Sequence, residues 1–458
     1  MIFDTVKSAG LSHKSYIIGD GGMAAVVDPR RDCDIYLKIA ERNNLAIRYI
    51  FETHRNEDFV VGSVELAEMT DAEIYHGKKL DFQYGNPVGD GDKFILGSME
   101  LEVLETPGHT NESISIAVKD KTVSDEVYLL FTGDTLFAGE TGRVDLYGED
   151  KRKSNAEALH DSIFRKILTL GDQVMLCPAH GAGSVCGADI REQEFTTIGY
   201  EKKTNPMLKL GREKFVEFKI NEKLYTPPYF KKMEELNLKG PNLLCKLPAL
   251  KILKVEDLME VIGQFQVVDV RNPTSFGGAH IPDTLSIWKS GLPVYAGWML
   301  NYEDPIVIVD EEGQSMDEVH KYLVRLGYDY IYGYLGGGFS SWYLQAQPIK
   351  KVELWSVLEL KERQFDESIF ILDVRKITDW EKGYVKRAHH IYLGHVRDRL
   401  DEIPRDKKVV IYCDAGNKST IASSILLQNG YEDVVTVLGS MKAWIRAGFD
   451  VVVDLGEK

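Results

Sequence analysis

Phe51-Glu52-Thr53-His54-Arg55-Asn56-Glu57-Asp58-Phe59 follows the run Ala46-Ile47-Arg48-Tyr49-Ile50. The run reads as a buried strand. A Thr-His at its end, with an acid four residues beyond the histidine, reads as a metal loop opening onto a helix. One histidine alone decides little, and three later strand ends carry the argument. Met99-Glu100-Leu101-Glu102-Val103-Leu104 runs into Thr106-Pro107-Gly108-His109-Thr110. Val127-Tyr128-Leu129-Leu130-Phe131 runs into Thr132-Gly133-Asp134-Thr135, and Val174-Met175-Leu176-Cys177 into Pro178-Ala179-His180-Gly181. Four apolar strands thus end in potential ligands, and loops at one sheet edge converge on one cleft.

Residues 201–250 change texture, being rich in Lys, Glu, Asn and Pro, with Tyr225-Thr226-Pro227-Pro228-Tyr229-Phe230. They read as a helix and a linker. The remainder repeats. Val267-Val268-Asp269-Val270-Arg271 matches Ile371-Leu372-Asp373-Val374-Arg375, and Pro305-Ile306-Val307-Ile308-Val309-Asp310 matches Lys408-Val409-Val410-Ile411-Tyr412-Cys413. Asp269, Asp310 and Trp342 are spaced by 41 and 32 residues; Asp373, Cys413 and Trp444 by 40 and 31. Two copies of one α/β unit account for this.

A chain of 458 residues has room for several domains. Its net charge of −16 argues against a nucleic-acid partner, because phosphates require a basic face. No apolar run is long enough for a membrane span, and Met1-Ile2-Phe3-Asp4-Thr5-Val6-Lys7 lacks the pattern of a signal peptide. The five cysteines are widely spaced and odd in number, which suits a reducing cytoplasm better than a disulfide framework. A homo-oligomer is compatible with all of this.

The four strand ends, with the opening Ser15 to Pro29, resemble the metallo-β-lactamase superfamily over residues 1–200. Both repeats resemble rhodanese domains. The expected fold is therefore α/β: an N-terminal metallo-β-lactamase αββα sandwich (1–200), a linker (201–250), a rhodanese-like domain lacking the catalytic cysteine (251–350) and a rhodanese domain with Cys413 (351–458). The superfamily's loop reads Thr-His-x-His-x-Asp-His; here Asn56 and Phe59 replace two histidines. His54, His109 and Asp134 remain, the two-His, one-carboxylate pattern of non-haem Fe(II) sites, which leaves coordination positions open. Persulfide dioxygenases of the superfamily use these three positions for iron. The resemblance therefore implies one Fe(II) per chain, with zinc as the alternative. Asp58 and His180 become groups that orient the ligands or belong to a second metal. Arg143 and Asp145 resemble a family motif near the site; the alternative is a surface salt bridge, and no role is assigned.

In the last repeat, Cys413-Asp414-Ala415-Gly416-Asn417-Lys418-Ser419 resembles a rhodanese active-site loop. Its backbone N–H groups and helix N-terminus favour an anion. Cys413 would carry the transferred sulfur; Lys418 adds positive charge, and Asp414 opposes it. The middle repeat has Asp310-Glu311-Glu312-Gly313-Gln314-Ser315 there, and a carboxylate carries no sulfane sulfur. Cys33, Cys177, Cys186 and Cys245 read as buried small hydrophobes. The implied enzyme oxidises a low-molecular-weight thiol persulfide with dioxygen to sulfite and thiol, and transfers sulfur through thiosulfate or persulfide. The alternatives are a thioester hydrolase of the glyoxalase II type and a sulfur-relay protein with a degenerate metal site.

Overall fold

The apolar runs that precede the candidate ligands become strands of two facing sheets in the computed structural model, which describes residues 1–453 apart from Ala188, Lys246 and Ser315. β1 (Ile2–Ser8), β2 (His13–Asp20), β3 (Met23–Val27), β4 (Ala46–Glu52), β5 (Glu73–Gly77) and β6 (Asn86–Val88) form one sheet in that order. β7 (Lys93–Leu96), β8 (Met99–Glu105), β9 (Ile114–Asp120), β10 (Leu129–Gly133), β11 (Met175–Pro178) and β12 (Thr196–Thr197) form the second, again in chain order. Alternate residues of both sheets interlock between them, Ile18, Val27 and Phe51 against Leu101, Ile116 and Phe131. The outer face of the first sheet is covered by the helix Asp34–Arg42, through Tyr36 and Ala40. Ile167 and Ile198 cover the second. The layers are αββα, with the metallo-β-lactamase fold.

Strand direction places the site. β9 is antiparallel to both β8 and β10, and β11 is parallel to β10. The C-terminal ends of β8, β10 and β11 therefore share one edge, and the loops carrying His109, Asp134 and His180 leave from it. The loop after β4 is tied to that edge by Ile114 N–H donating to the Thr53 carbonyl at 2.7 Å. This loop does not open directly onto a helix: the next helix, Ser63–Thr70, starts only after an irregular, buried stretch.

The chain divides into two units, the first formed essentially by Met1–Leu247. The stretch 201–250, read from the sequence as helix and linker, contains the helices Arg212–Asn221 and Phe230–Lys239 and lies with the first unit as far as Leu247. Asn237, fully buried, bonds the metal loop: its Nδ2 donates to the carbonyls of Asn56 and Phe59 at 2.6 and 2.8 Å, and its Oδ1 accepts from Val61 N–H at 3.0 Å.

The second unit holds two parallel sheets of the same topology. β13 (Lys251–Leu253), β14 (Gln266–Asp269), β15 (Leu285–Ser286), β16 (Ile306–Val309) and β17 (Ile331–Leu335) are ordered β13-β17-β16-β14-β15. β18 (Glu353–Trp355), β19 (Ile369–Asp373), β20 (His389–His390), β21 (Lys408–Tyr412) and β22 (Val434–Val437) are ordered β18-β22-β21-β19-β20. The repeat extends to side chains. Arg271 pairs with the buried Asp269 at 2.7 Å and Arg375 with Asp373 at 2.6 Å. The Trp342 and Trp444 indoles each donate to a carbonyl six residues on, of Pro348 and Asp450. Both are rhodanese-like domains. The quoted acidic loop of the middle repeat ends on Ser315, outside the described residues. No helix among the described residues is long and apolar enough to cross a membrane.

Candidate functional site

Thr53 fixes the first ligand position. Its N–H and Oγ1 donate to the two oxygens of Asp28, each at 2.8 Å. Burial pushes the Asp28 carboxyl up to about 7 despite these bonds. With its proton given to Asp28, Thr53 Oγ1 accepts from His54 Nδ1 at 2.9 Å. That leaves the His54 Nε2 lone pair facing inward, buried and without a hydrogen-bond partner. Burial lowers the His54 pKa to about 3, so the ring is neutral near pH 7.

His109 is oriented by the same logic. Its Nδ1 donates to the Arg143 carbonyl at 3.0 Å, and its Nε2 is buried and unpartnered. Asp134 Oδ2 lies 3.7 Å from His54 Nε2 and 3.6 Å from His109 Nε2. Burial alone would raise the Asp134 pKa, but the three histidines facing it hold it well below the carboxylate range. His180 Nδ1 reaches Asp134 at 2.7 Å, and its Nε2 lies 2.9 Å from Asp58 Oδ2. Burial disfavours charge on this ring, yet the two carboxylates carry its pKa well above the usual value. The sequence-selected residues His54, His109, Asp134, Asp58 and His180 are thus brought together in one buried cluster. Asp58 is 1% exposed, in the irregular loop that precedes the helix Ser63–Thr70.

Glu57 was missed by the sequence reading, although it stands inside the quoted stretch. Its Oε2 lies 3.7 Å from His109 Nε2, and it is buried and without a hydrogen-bond partner. Donor atoms of His54, Glu57 and His109 lie within 4.8 Å of one another, as do those of Asp58, His180 and Cys186, and those of His109, Asp134 and Cys186. Inward-facing donors buried without partners are costly unless a cation completes them, so the residues present fit a metal ion. Cys186 is buried as expected, in a small apolar cluster with Phe137 and Ile190, and its sulfur also lies near the donor atoms of Asp58, His180, His109 and Asp134. Cys245, also expected to be buried, is exposed. At the replaced histidines, Asn56 Nδ2 turns back to donate to the His54 carbonyl at 3.2 Å, and the Phe59 ring packs 4.0 Å from that of His13.

Arg143 and Asp145 do not form a surface salt bridge. The Arg143 side chain is buried, and its Nε and Nη2 donate to the two Asp145 oxygens at 2.7 and 2.8 Å. This pair anchors the loop whose carbonyl orients His109. Gly142 lets the loop close: a Cβ there would lie 2.1 Å from the Asp134 carbonyl oxygen and 3.1 Å from His109 Cβ.

In the second unit, Cys413 is 1% exposed at the end of β21. Its Sγ accepts from Gly416 N–H at 3.1 Å, and Ser419 Oγ lies 3.9 Å away. The helix Lys418–Gln428 begins directly after this loop. Lys418 forms an ion pair with Asp414. Burial opposes its charge, but Asp414, with a smaller contribution from Cys413, raises its pKa. In the middle repeat the Asp310 carboxylate accepts from Gly313 N–H and, at 2.9 Å, from Gln314 N–H. A side-chain carboxylate thus fills the loop that in the last repeat turns an N–H toward sulfur. The middle repeat also supports the Cys413 helix: Ser286 N–H donates to Ser424 Oγ at 3.1 Å, and Gln428 Nε2 to the Asp283 carbonyl at 2.8 Å.

Comparison with known proteins follows this division. The metallo-beta-lactamase superfamily matches residues 9–180, and the rhodanese-like domain matches 254–345 and again 356–447. The chain is 28% identical over 216 residues to the hydroxyacylglutathione hydrolase GloC of Haemophilus influenzae, covering 42% of this chain and 91% of that protein. It is 28% identical over 225 residues to the mitochondrial persulfide dioxygenase ETHE1 of Bos taurus, covering 46% of this chain and 77% of the relative. Among solved structures, a metallo-beta-lactamase from Staphylococcus aureus subsp. aureus COL superposes with a TM-score of 0.66 at 29% identity, covering 74% of this chain and 99% of that one.

Proposed function

We propose that this chain, which joins a metallo-β-lactamase domain to two rhodanese-like domains, is an iron-dependent persulfide dioxygenase coupled to a sulfurtransferase. The observation that carries the reading is Asp134 Oδ2 lying 3.7 Å from His54 Nε2 and 3.6 Å from His109 Nε2, with the Nδ1 of each imidazole engaged so that Nε2 faces inward. These residues would hold one Fe(II), which when bound supplies the dioxygen chemistry that side chains lack. The overall reaction is RSSH + O2 + H2O → RSH + SO3²⁻ + 2H⁺. The persulfide dioxygenase relatives support the substrate class.

The chain's own residues have separable parts in this reading. Thr53 and the Arg143 carbonyl fix which imidazole nitrogen faces inward. His180, held between Asp134 and Asp58, orients the Asp134 carboxylate and keeps it ionised. Glu57, Asp58 and Phe59 are buried around the donors and keep bulk water away. In the second unit Cys413 attacks the outer sulfur of thiosulfate or a persulfide. The S–S bond breaks, sulfite or thiol leaves with the bonding pair, and the sulfur stays on Cys413 until a nucleophile takes it. The Gly416 N–H, directed at Sγ, stabilises the anionic sulfur. Asp310 offers no sulfur nucleophile, so the middle domain acts as a buttress.

The test is oxygen uptake by protein purified without oxygen and loaded with Fe(II), on addition of a thiol persulfide. Consumption of oxygen with sulfite formation is the expected result. Thioester hydrolysis by a two-zinc form without oxygen uptake would replace this reading with the hydrolase one.

A further inference from the structure

We propose that Glu57 is a fourth metal ligand, taking over the place that the superfamily's second loop histidine has lost at Asn56. The proposal rests on the metal-dependent reading of the site and adds to it a donor that the three-residue set lacks.

Three observations meet at this residue. Asn56, at the position of the missing imidazole, turns its nitrogen to the His54 carbonyl, and its neutral amide oxygen, buried without a hydrogen-bond partner, brings no charge to a cation. The next side chain reaches in instead: Glu57 is fully buried, and its Oε2 lies 3.7 Å from His109 Nε2. That oxygen, His109 Nε2 and His54 Nε2 all lack a hydrogen-bond partner, and the donors of the three residues lie within 4.8 Å of one another. The far oxygen, Oε1, is 3.4 Å from Arg55 Nη2, so the carboxylate is held from behind while its other oxygen faces the histidines. Arg55 balances the far oxygen only; the inward oxygen, buried without a hydrogen-bond partner, is costly unless a cation sits between it and the histidines.

The consequence is a two-His, two-carboxylate set of His54, Glu57, His109 and Asp134. Two carboxylates balance a divalent cation, where the three-residue set leaves a net positive charge. Carboxylate-rich oxygen and nitrogen donors suit Fe(II) or Mn(II).

The experiment uses full-length protein stripped of metal and titrated without oxygen with Co(II), whose visible absorption reports its ligands, and with Fe(II) against a competing chelator. Glu57→Gln and Glu57→Ala are compared with the parent, and folding is checked by circular dichroism and thermal midpoint of the metal-free forms. Expected are an altered Co(II) spectrum in both variants and an affinity loss for Fe(II) beyond the roughly 10–100-fold that removal of a merely orienting group causes. Glu57→Asp, which keeps the charge with a shorter reach, should recover part of the affinity and guards against misfolding of the other two. Parent-like spectra and affinities in Glu57→Ala, or a parent that binds neither ion, overturn the proposal. A parent whose metal binding depends on Glu57 but which consumes no oxygen with persulfide leaves the ligand assignment standing and removes the dioxygenase reading instead.

Discussion

His180 Nδ1 lies 2.7 Å from Asp134 Oδ1, while Asp134 Oδ2 stands 3.6–3.7 Å from the inward nitrogens of His109 and His54. One carboxylate is thus held on one side by an imidazolium and faces two lone-pair donors on the other. This relationship separates two histidines whose Nε2 atoms face inward without a hydrogen-bond partner from a third that bonds the carboxylate, although the sequence shows three similar strand-end histidines.

Replacing His109 by Ala should remove bound iron, because it deletes one of the two inward-facing imidazole nitrogens. Elemental analysis of anaerobically purified protein should fall from about one iron per chain, the count one site of this kind would hold, to background. Retention of the full complement would show that His109 is not a ligand.

Gly142→Ala should damage the same site without touching a donor. The added methyl meets the Asp134 carbonyl oxygen at 2.1 Å, so the loop must move and take the Arg143 carbonyl with it. Loss of about 1–3 kcal/mol of stability together with weaker metal binding is expected, measured by denaturant unfolding and metal titration.

The two activities should separate by mutation. Cys413→Ser should abolish sulfur transfer from thiosulfate to cyanide and leave oxygen uptake intact; His54→Ala should do the reverse. Because Asp310 is not a sulfur nucleophile, the Cys413→Ser protein should show no residual transfer from its middle domain.

Asp310→Asn should leave sulfur transfer unchanged but loosen the middle domain. The carboxylate accepts from two backbone N–H groups through its two oxygens, and an amide has one acceptor oxygen. A loss of about 1–2 kcal/mol in denaturant unfolding is expected.

Under air, a thiol persulfide should give thiosulfate with the intact chain and mainly sulfite with Cys413→Ser. Sulfite released from the first domain is a nucleophile for the sulfane sulfur on Cys413, and a shared chain raises its local concentration. Chromatography of the products, corrected for the direct reaction of sulfite with persulfide, reads the result. Equal thiosulfate yields from both proteins would exclude this coupling, and added sulfite should compete with the internally formed product.

The sequence by itself determined the α/β class, the two repeats and the ligand-bearing strand ends, because strand burial and turn chemistry are local and leave their period in the chain. The spacing of Asp269, Asp310 and Trp342 against Asp373, Cys413 and Trp444 was enough to show one unit twice. What it left undecided depends on contacts distant in sequence. Glu57 looked like one acid in an acidic chain until folding buried it against His109, 52 residues away. Arg143 and Asp145 looked like a surface pair until the closed loop enclosed them, and nothing local placed the buried Cys186 beside Asp58 and His180. The tertiary structure decided these because burial and donor direction are set by how β4, β8, β10 and β11 meet at one edge, and no local pattern encodes which side chains will be left there facing one another without a partner.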